Sequence, residues 1–373
     1  MERQTFDCYA GAAFGLEGLV SAELKRLHMD EVQTETNGVR FITDQAGLFR
    51  CNLWSHFSER IYILMAEGRC TSFEDLFQLV SSVPWEEYAD GSEFFNITCK
   101  SVRSTLSSQR ACQSIAKKAL IERLKRSLHR EAFQERGENF SVFVSVRNDR
   151  VRLLLDTSGE SLAHRGYRTW NGKAPLRETL AAALIEISPW RPGTRLHDPC
   201  CGTGTIPIEA ALMAINRAPG LHRFFEMEHF AFAHKHIFRE IRAEAEAGES
   251  ACADLLISGT DIDPEALELA GRHQRQADIS PAIPFACMPL QELQLNGEKG
   301  VFICNPPYGE RMETQRECRK LYHELHMLQR RHPGWALCAI TSDPAFERFF
   351  GKRADRKRRM YNGRLECTYY LYG

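Results

Sequence analysis

A short apolar run, Val301-Phe302-Ile303-Cys304, delivers Asn305, Pro306, Pro307 and Tyr308 to its carboxyl end. The side-chain oxygen of Asn305 and the carbonyl of Pro306, held by a φ-locked ring, can together accept both hydrogens of an exocyclic amino group. The ring of Tyr308 can stack on the heterocycle that carries the amine. Methyl transfer to a base nitrogen requires such a set. An ordinary β-turn is the competing reading, because Asn-Pro and Pro-Tyr-Gly are common loop signals.

A second constellation lies upstream, in His197-Asp198-Pro199-Cys200-Cys201-Gly202-Thr203-Gly204-Thr205-Ile206-Pro207. Gly202 and Gly204 lack a Cβ, so the turn can be tight and a ligand can approach the backbone. A dinucleotide fingerprint needs a third glycine where Pro207 stands, and a Walker loop needs Gly-Lys-Ser/Thr; neither is present. A phosphate cradle is therefore disfavoured. What remains is a strand-end acid, Asp198, before a Gly-x-Gly turn. Asp198, Pro199, Cys200, Gly202, Thr203, Gly204 and Thr205 are its candidate cofactor residues. The next strand ends in Gly259-Thr260-Asp261-Ile262-Asp263-Pro264, where a carboxylate can hold both hydroxyls of a ribose. Asp261 is assigned to the cofactor. Asp263, carried in the same candidate set, is better placed as the helix cap before Pro264. The loop and this acid are separated by an insertion of roughly residues 216–254.

These residues need strands to carry them. From Leu180 onward the pattern alternates strictly. Helices are predicted over 180–187, 205–215, 264–276, 318–331 and 344–350, and strands over 195–198, 255–260, 285–288, 301–304, 335–341 and 367–372. That alternation predicts a parallel, doubly wound α/β sheet. The first half mixes small strands and helices in the α+β manner. Strands are expected at 7–10, 38–42, 61–66, 94–101, 141–147 and 150–156. Helices are expected from about Gly15 to Leu27, over 45–51, over 72–81 capped by Ser72, and over 107–130. Asn148-Asp149 is a hairpin signal. The Gly-, Arg- and aromatic-rich stretch 158–174 reads as a linker.

With 373 residues the chain has room for roughly two or three domains. No apolar run is long enough to span a bilayer, and Met1-Glu2-Arg3-Gln4 lacks the form of a signal peptide, so a cytoplasmic, membrane-free protein is expected. Its thirteen cysteines are scattered without a Cys-x-x-Cys pair; neither a disulfide framework nor a zinc site is expected. His222, His229, His234 and His236 lack a metal-ligand spacing. Trp54, Trp85 and Trp335 are expected in the core. The formal net charge is only −1, yet cations cluster over 100–130 and 352–359, which makes a polyanion partner plausible.

Taken in order, Asp-Pro-Cys-Cys-Gly-Thr-Gly, Gly-Thr-Asp-Ile-Asp-Pro and Asn-Pro-Pro-Tyr fall on successive strand ends. From about Ala174 the chain resembles a class I S-adenosylmethionine-dependent methyltransferase of the amino-methylating type. Phe95-Asn96-Ile97-Thr98-Cys99-Lys100-Ser101-Val102-Arg103-Ser104 and the basic helix after it resemble a THUMP RNA-binding module, behind a ferredoxin-like domain. Asn305 to Arg311, His164-Arg165-Gly166-Tyr167-Arg168 and Ala174-Pro175-Leu176-Arg177-Glu178-Thr179 are similar to the bacterial ribosomal RNA guanine-N2 methyltransferase family. The resemblance implies a Rossmann-like, mostly parallel seven-stranded sheet, with domains at 1–56 (ferredoxin-like), 57–160 (THUMP) and 176–373 (methyltransferase) around a linker at 161–175. It also implies S-adenosylmethionine as donor, touched by Thr179 and Asn305 as well, and no metal. Large-subunit ribosomal RNA is the expected partner, with transfer RNA, the adenine N6 of DNA or a protein amide as alternative targets, and a non-catalytic RNA assembly factor as the least favoured reading. Candidate RNA contacts are Lys100, Arg103, Arg110, Lys117, Arg165, Arg168, Arg311, Lys357 and Arg358. One departure stands out. Many class I enzymes place an Asp after the third strand for the adenine amine, whereas this chain has Cys287-Met288-Pro289-Leu290-Gln291-Glu292.

Overall fold

A computed structural model describes residues 4–134, 136–168, 176–250, 255–297, 299–307 and 312–373. The chain divides into two compact units. The first comprises residues up to Ala12, Val20–Leu162 and Arg223–Glu244; the second comprises Ala13–Leu19, Ala163–His222 and Ala245–Gly373.

Elements of the first half are β1 (Thr5–Ala12), α1 (Glu17–Arg26), β2 (Asp30–Glu35), β3 (Gly38–Asp44), α2 (Gln45–Trp54) and β4 (Ser58–Arg69). They continue with α3 (Phe73–Ser81), β5 (Phe94–Val102), α4 (Gln109–Leu128), β6 (Asn139–Arg147) and β7 (Arg150–Asp156). All seven strands form one sheet in the order β2-β3-β1-β4-β7-β6-β5. The twelve-residue β4 joins the two expected modules: it pairs with β1 through Ala10↔Ile61 and with β7 through Tyr62↔Asp156. Ser72 caps α3 in a reciprocal capping box with Asp75. Asn148 and Asp149 take φ of 50° and 60°, the left-handed pair that a two-residue hairpin turn needs. Strand β2 is absent from the sequence reading. It lies at the sheet edge with no buried residue, so no alternation marks it.

The insertion supplies part of this unit's core. Its helix α7 (Lys235–Ala247) buries Phe238 and Ile241 there. Phe238 stacks on Phe49 at 4.4 Å, Phe230 lies 5.4 Å from Phe140, and Phe232 lies 5.1 Å from Phe6. Glu226 accepts the backbone N–H of Ser141. Burial, with the charge of Asp156 beside it, pushes its carboxyl up to about 8. Sequence reading took this segment for a plain insertion because these three contacts join it to residues distant in the chain. Phe238→Ala removes a fully packed ring and lowers the stability of this unit by about 3–5 kcal/mol. Urea denaturation measures it, and a loss below about 1 kcal/mol would mean that the insertion is not core.

The second half contains α5 (Glu178–Ile187), β8 (Leu196–Asp198), α6 (Thr205–Ala214), β9 (Ile257–Asp261), α8 (Pro264–Gln276) and β10 (Phe285–Cys287). It ends with β11 (Gly300–Cys304), α9 (Met312–Arg331), β12 (Trp335–Thr341), α10 (Phe346–Phe350), β13 (Arg356–Asn362) and β14 (Leu365–Tyr372). The sheet order is β10-β9-β8-β11-β12-β14-β13. Strands β10, β9, β8, β11 and β12 are mutually parallel, and β14 runs against both of its neighbours. The doubly wound, mostly parallel sheet expected from the alternation is thus present. One strand went unread: β13 is the basic block itself, a charged edge strand of the kind that resists edge-to-edge pairing. The core beneath β11 and β12 is aromatic, with Phe302, Tyr322, Phe346, Phe350, Tyr370 and Tyr372 packed together.

Candidate active site

Strand order reverses beside β8, with β9 on one side and β11 on the other. In open α/β sheets the crevice outside such a switch point is where ligands bind. Asp198, the last residue of β8, is 2% exposed. Its Oδ1 accepts the N–H of Cys200 at 3.0 Å, which folds the chain into the turn. Burial, and then the charge of Asp261, push its carboxyl well above the usual range. A cationic ligand at this acid would relieve that cost.

Gly202 takes φ +50°, and a Cβ built there meets nothing within 4 Å, so its backbone borders open space. Gly204 takes φ +81° for a different reason. An added Cβ would sit 3.0 Å from both Ala270 and Phe285, so here glycine allows close packing at the start of α6. Thr203 is half-buried, while Pro199 and Thr205 are buried.

Asp261 ends β9. Its Oδ2 accepts the N–H of Gly202 at 2.7 Å, and its Oδ1 accepts the N–H of Asp263 at 3.0 Å. A carboxylate has about four acceptor positions, so two remain for ligand hydroxyls. Asp263 accepts from Glu265 N at 2.9 Å and Ala266 N at 3.3 Å, ahead of Pro264. It is a helix cap, so its place in the cofactor set is withdrawn. Between the two acids Ile262 is 73% exposed, an apolar side chain at a ligand-facing strand end. The sequence reading passed over it. The signal was present: it sits between two acids and outside the helix that follows. An open crevice, a buried acid and a strand-end acid with spare acceptor positions fit a ribose-bearing, cationic donor.

Asn305 follows β11 directly. The register Val301↔Leu196 and Phe302↔His197 sets β11 beside β8, and Cys304, the residue before Asn305, lies within reach of the charges of Cys200 and Asp198. Asn305 is half-buried, Pro306 buried and Pro307 exposed. The hydroxyl of Tyr322, on α9, donates to the Pro307 carbonyl at 3.4 Å and lies 3.4 Å from Thr341 Oγ1. That contact engages the second proline's carbonyl. Tyr308 and Arg311 lie outside the described residues.

The remaining candidates divide. Thr179 is buried in the first turn of α5. Lys100, Arg103 and Arg110 are exposed around the β5–α4 connection, and Lys117 lies 5.5 Å over the Phe94 ring. The connection is held rigid, because Thr105 N donates to Asp149 Oδ1 at 2.7 Å and Asp149 N donates to Ser104 Oγ at 3.0 Å.

Three of the expected RNA contacts are corrected. Arg165 is buried against Glu209 at 3.4 Å, and Arg168 donates to Glu178 at 2.8 Å and to the Leu176 carbonyl at 3.0 Å. Both guanidiniums point inward. Arg358 donates to the Gly15 carbonyl at 2.6 Å. Lys357 pairs with Glu347 on the surface but stays exposed. Motif spacing placed these cations correctly in the chain but gave no information on which way they point.

With this geometry in place, family comparison is informative. Residues 7–62 match the RlmL ferredoxin-like domain, 70–156 the THUMP domain and 165–371 the RMKL-like methyltransferase domain. "Putative RNA methyltransferase YpsC" of Bacillus subtilis (strain 168) is 34% identical over 97% of this chain and 94% of its own length. "Ribosomal RNA large subunit methyltransferase K/L" of Shewanella baltica is 33% identical over 98% of this chain, which spans only 52% of that protein. Among solved structures, a "predicted N6-adenine-specific DNA methylase" from Listeria monocytogenes is 38% identical with a TM-score of 0.94, over 99% of this chain and 96% of that one. "SMU.472, a putative methyltransferase complexed with SAH" is 36% identical with a TM-score of 0.94, over 100% and 98%. The expectation of an S-adenosylmethionine site therefore stands. Three domain matches in sequence order, a shared fold and an end-to-end similarity at this level place the chain in the RMKL-like methyltransferase family.

Proposed function

We propose that this protein methylates the exocyclic N2 of a guanosine in structured RNA, with large-subunit ribosomal RNA as the target. The supporting observation is the parallel pairing of β8 with β11, whose carboxyl ends carry Asp198 and Asn305 to the same edge of the sheet. The THUMP match and the RNA methyltransferase names of its relatives favour RNA over DNA.

S-adenosylmethionine supplies an already activated methyl group, so the protein's work is alignment. Asp261 holds the ribose hydroxyls while Gly202 keeps the backbone out of the way. Asp198 would hold a cationic part of the donor, which would compensate its buried charge. Guanine N2 is a poor nucleophile because its lone pair is delocalised into the ring. Asn305 Oδ1 and the Pro306 carbonyl draw its two hydrogens aside and turn the nitrogen tetrahedral, with the lone pair facing the methyl. The same two dipoles stabilise the positive charge that grows on nitrogen in the transition state. No base is needed first, since the methylated ammonium loses its proton readily. The target base must leave its stack to reach the crevice. Lys100, Arg103 and Arg110 bind phosphates, which fixes the register of the RNA without reading its sequence.

The name of the Listeria neighbour supports a second reading, adenine N6 in DNA, because an Asn-Pro-Pro-Tyr turn recognises only an amino group. Mass spectrometry of nucleosides from separated RNAs and DNA of a deletion strain and its parent decides. Loss of N2-methylguanosine from ribosomal RNA supports the proposal. Loss from transfer RNA redirects it, and loss of N6-methyladenine from DNA overturns it.

A further inference from the structure

At the far edge of the second unit's sheet, a segment from the chain's beginning is moulded onto β13. Gly15 takes φ +90°, and a Cβ there would lie 2.9 Å from the Arg359 carbonyl oxygen, so only glycine permits this approach. Arg358 Nη2 donates to the Gly15 carbonyl at 2.6 Å, and the Gly15 N–H is held by Glu17 Oε2 at 2.8 Å. Covering an edge strand explains the backbone contact. It does not explain the side chain beside it.

Phe14 remains 46% exposed. Its ring meets that of Tyr361 at 5.7 Å and 89°, and the Arg359 guanidinium lies 5.6 Å from the Phe14 centroid and 5.9 Å from that of Tyr361. Glu366 steadies the group: it accepts the Tyr361 hydroxyl at 2.9 Å and lies 3.7 Å from Arg359 Nε. That ion pair is exposed on both sides and weak, so the guanidinium retains donors for another partner. Exposed Arg364, in the short turn that follows β13, adds a second cation at this end of the strand. An exposed aromatic set among cations suits a stacked base with its phosphates.

Topology gives the patch a meaning. Strands β12 and β13 both run against β14, so they are parallel to each other and to β11. The Tyr361 end of β13 therefore lies at the same sheet edge as Asn305. Three strand spacings separate β11 from β13, about 14 Å at roughly 4.8 Å each. That is within reach of nucleotides flanking one held at Asn305.

We propose that Phe14, Tyr361 and Arg359 form a platform that stacks an unpaired nucleotide next to the one being methylated, with Arg359 and Arg364 meeting its phosphates. The proposal rests on the RNA reading above but not on which base nitrogen is modified. The test uses the full-length protein and a short fluorescein-labelled single-stranded oligoadenylate, read by anisotropy, with an RNA duplex as comparison. Phe14→Ala is expected to weaken oligoadenylate binding about 5- to 100-fold, equivalent to roughly 1–3 kcal/mol. Its melting temperature and duplex binding should stay as in the wild type. Phe14→Trp restores affinity, and Arg359→Ala flattens the salt dependence. Wild-type affinity in Phe14→Ala, or a loss that Phe14→Trp fails to restore, overturns the platform. A protein that binds through Phe14 but makes no N2-methylguanosine keeps the platform and removes the function reading; normal methylation with an indifferent Phe14 does the reverse.

Discussion

Asn305→Ala lowers the single-turnover rate on RNA by about 10²–10³-fold, the scale for removing one preorganised dipole from a transition state, while donor affinity stays nearly unchanged. Asn305 stands outside the Asp198–Asp261 loop and emerges from a strand whose last residue, Cys304, is fully buried. The strand therefore holds its place when the amide is removed, and the Pro306 carbonyl stays as the lone acceptor. With one hydrogen of the amine left unbound, nitrogen keeps its planar, delocalised form. Rapid-quench kinetics measure the rate and calorimetry measures donor binding. Equal loss in both would assign Asn305 to the donor and remove the amine-acceptor role.

Asp261→Ala is expected to have the converse effect. Two charge-assisted hydrogen bonds to ribose hydroxyls, each worth roughly 1.5–3 kcal/mol, correspond to a donor affinity loss of about 100-fold or more. Part of that loss comes from freeing the Gly202 N–H, which Asp261 Oδ2 holds at 2.7 Å. Asp261→Asn keeps an acceptor for that N–H and separates the two contributions. Asp263→Ala is the informative neighbour. It costs about 0.5–2 kcal/mol of stability as a lost helix cap and leaves donor affinity close to wild type. If calorimetry finds Asp263→Ala as damaging to donor binding as Asp261→Ala, the division of labour between the two acids is wrong.

Much of the catalytic half was legible before any coordinates. Asp198, Gly202, Gly204, Asp261 and Asn305 are marked by spacing because each sits where a strand ends, and strand ends are set by local apolar runs and turn residues. Thr179 and the side chains of the basic helix were legible as positions only. Arg165, Arg168 and Arg358 show why. A guanidinium before α5 looks the same in sequence whether it meets RNA or a buried Glu209. The choice depends on which carboxylate the fold brings within reach. Strands β2 and β13 were missed for a related reason: both are polar edge strands with few or no buried positions, and periodicity reports burial rather than pairing.

By itself the sequence determined the order of strand-end motifs and the doubly wound sheet they imply, both consequences of short-range patterning. Only the tertiary structure decided that residues 223–244 belong to the first unit's core and that β4 joins two modules in one sheet. It alone brought Phe14 to Tyr361, across nearly the whole length of the chain. Those outcomes come from packing between residues hundreds of positions apart, where complementary shape and burial select the partner and local propensity does not act.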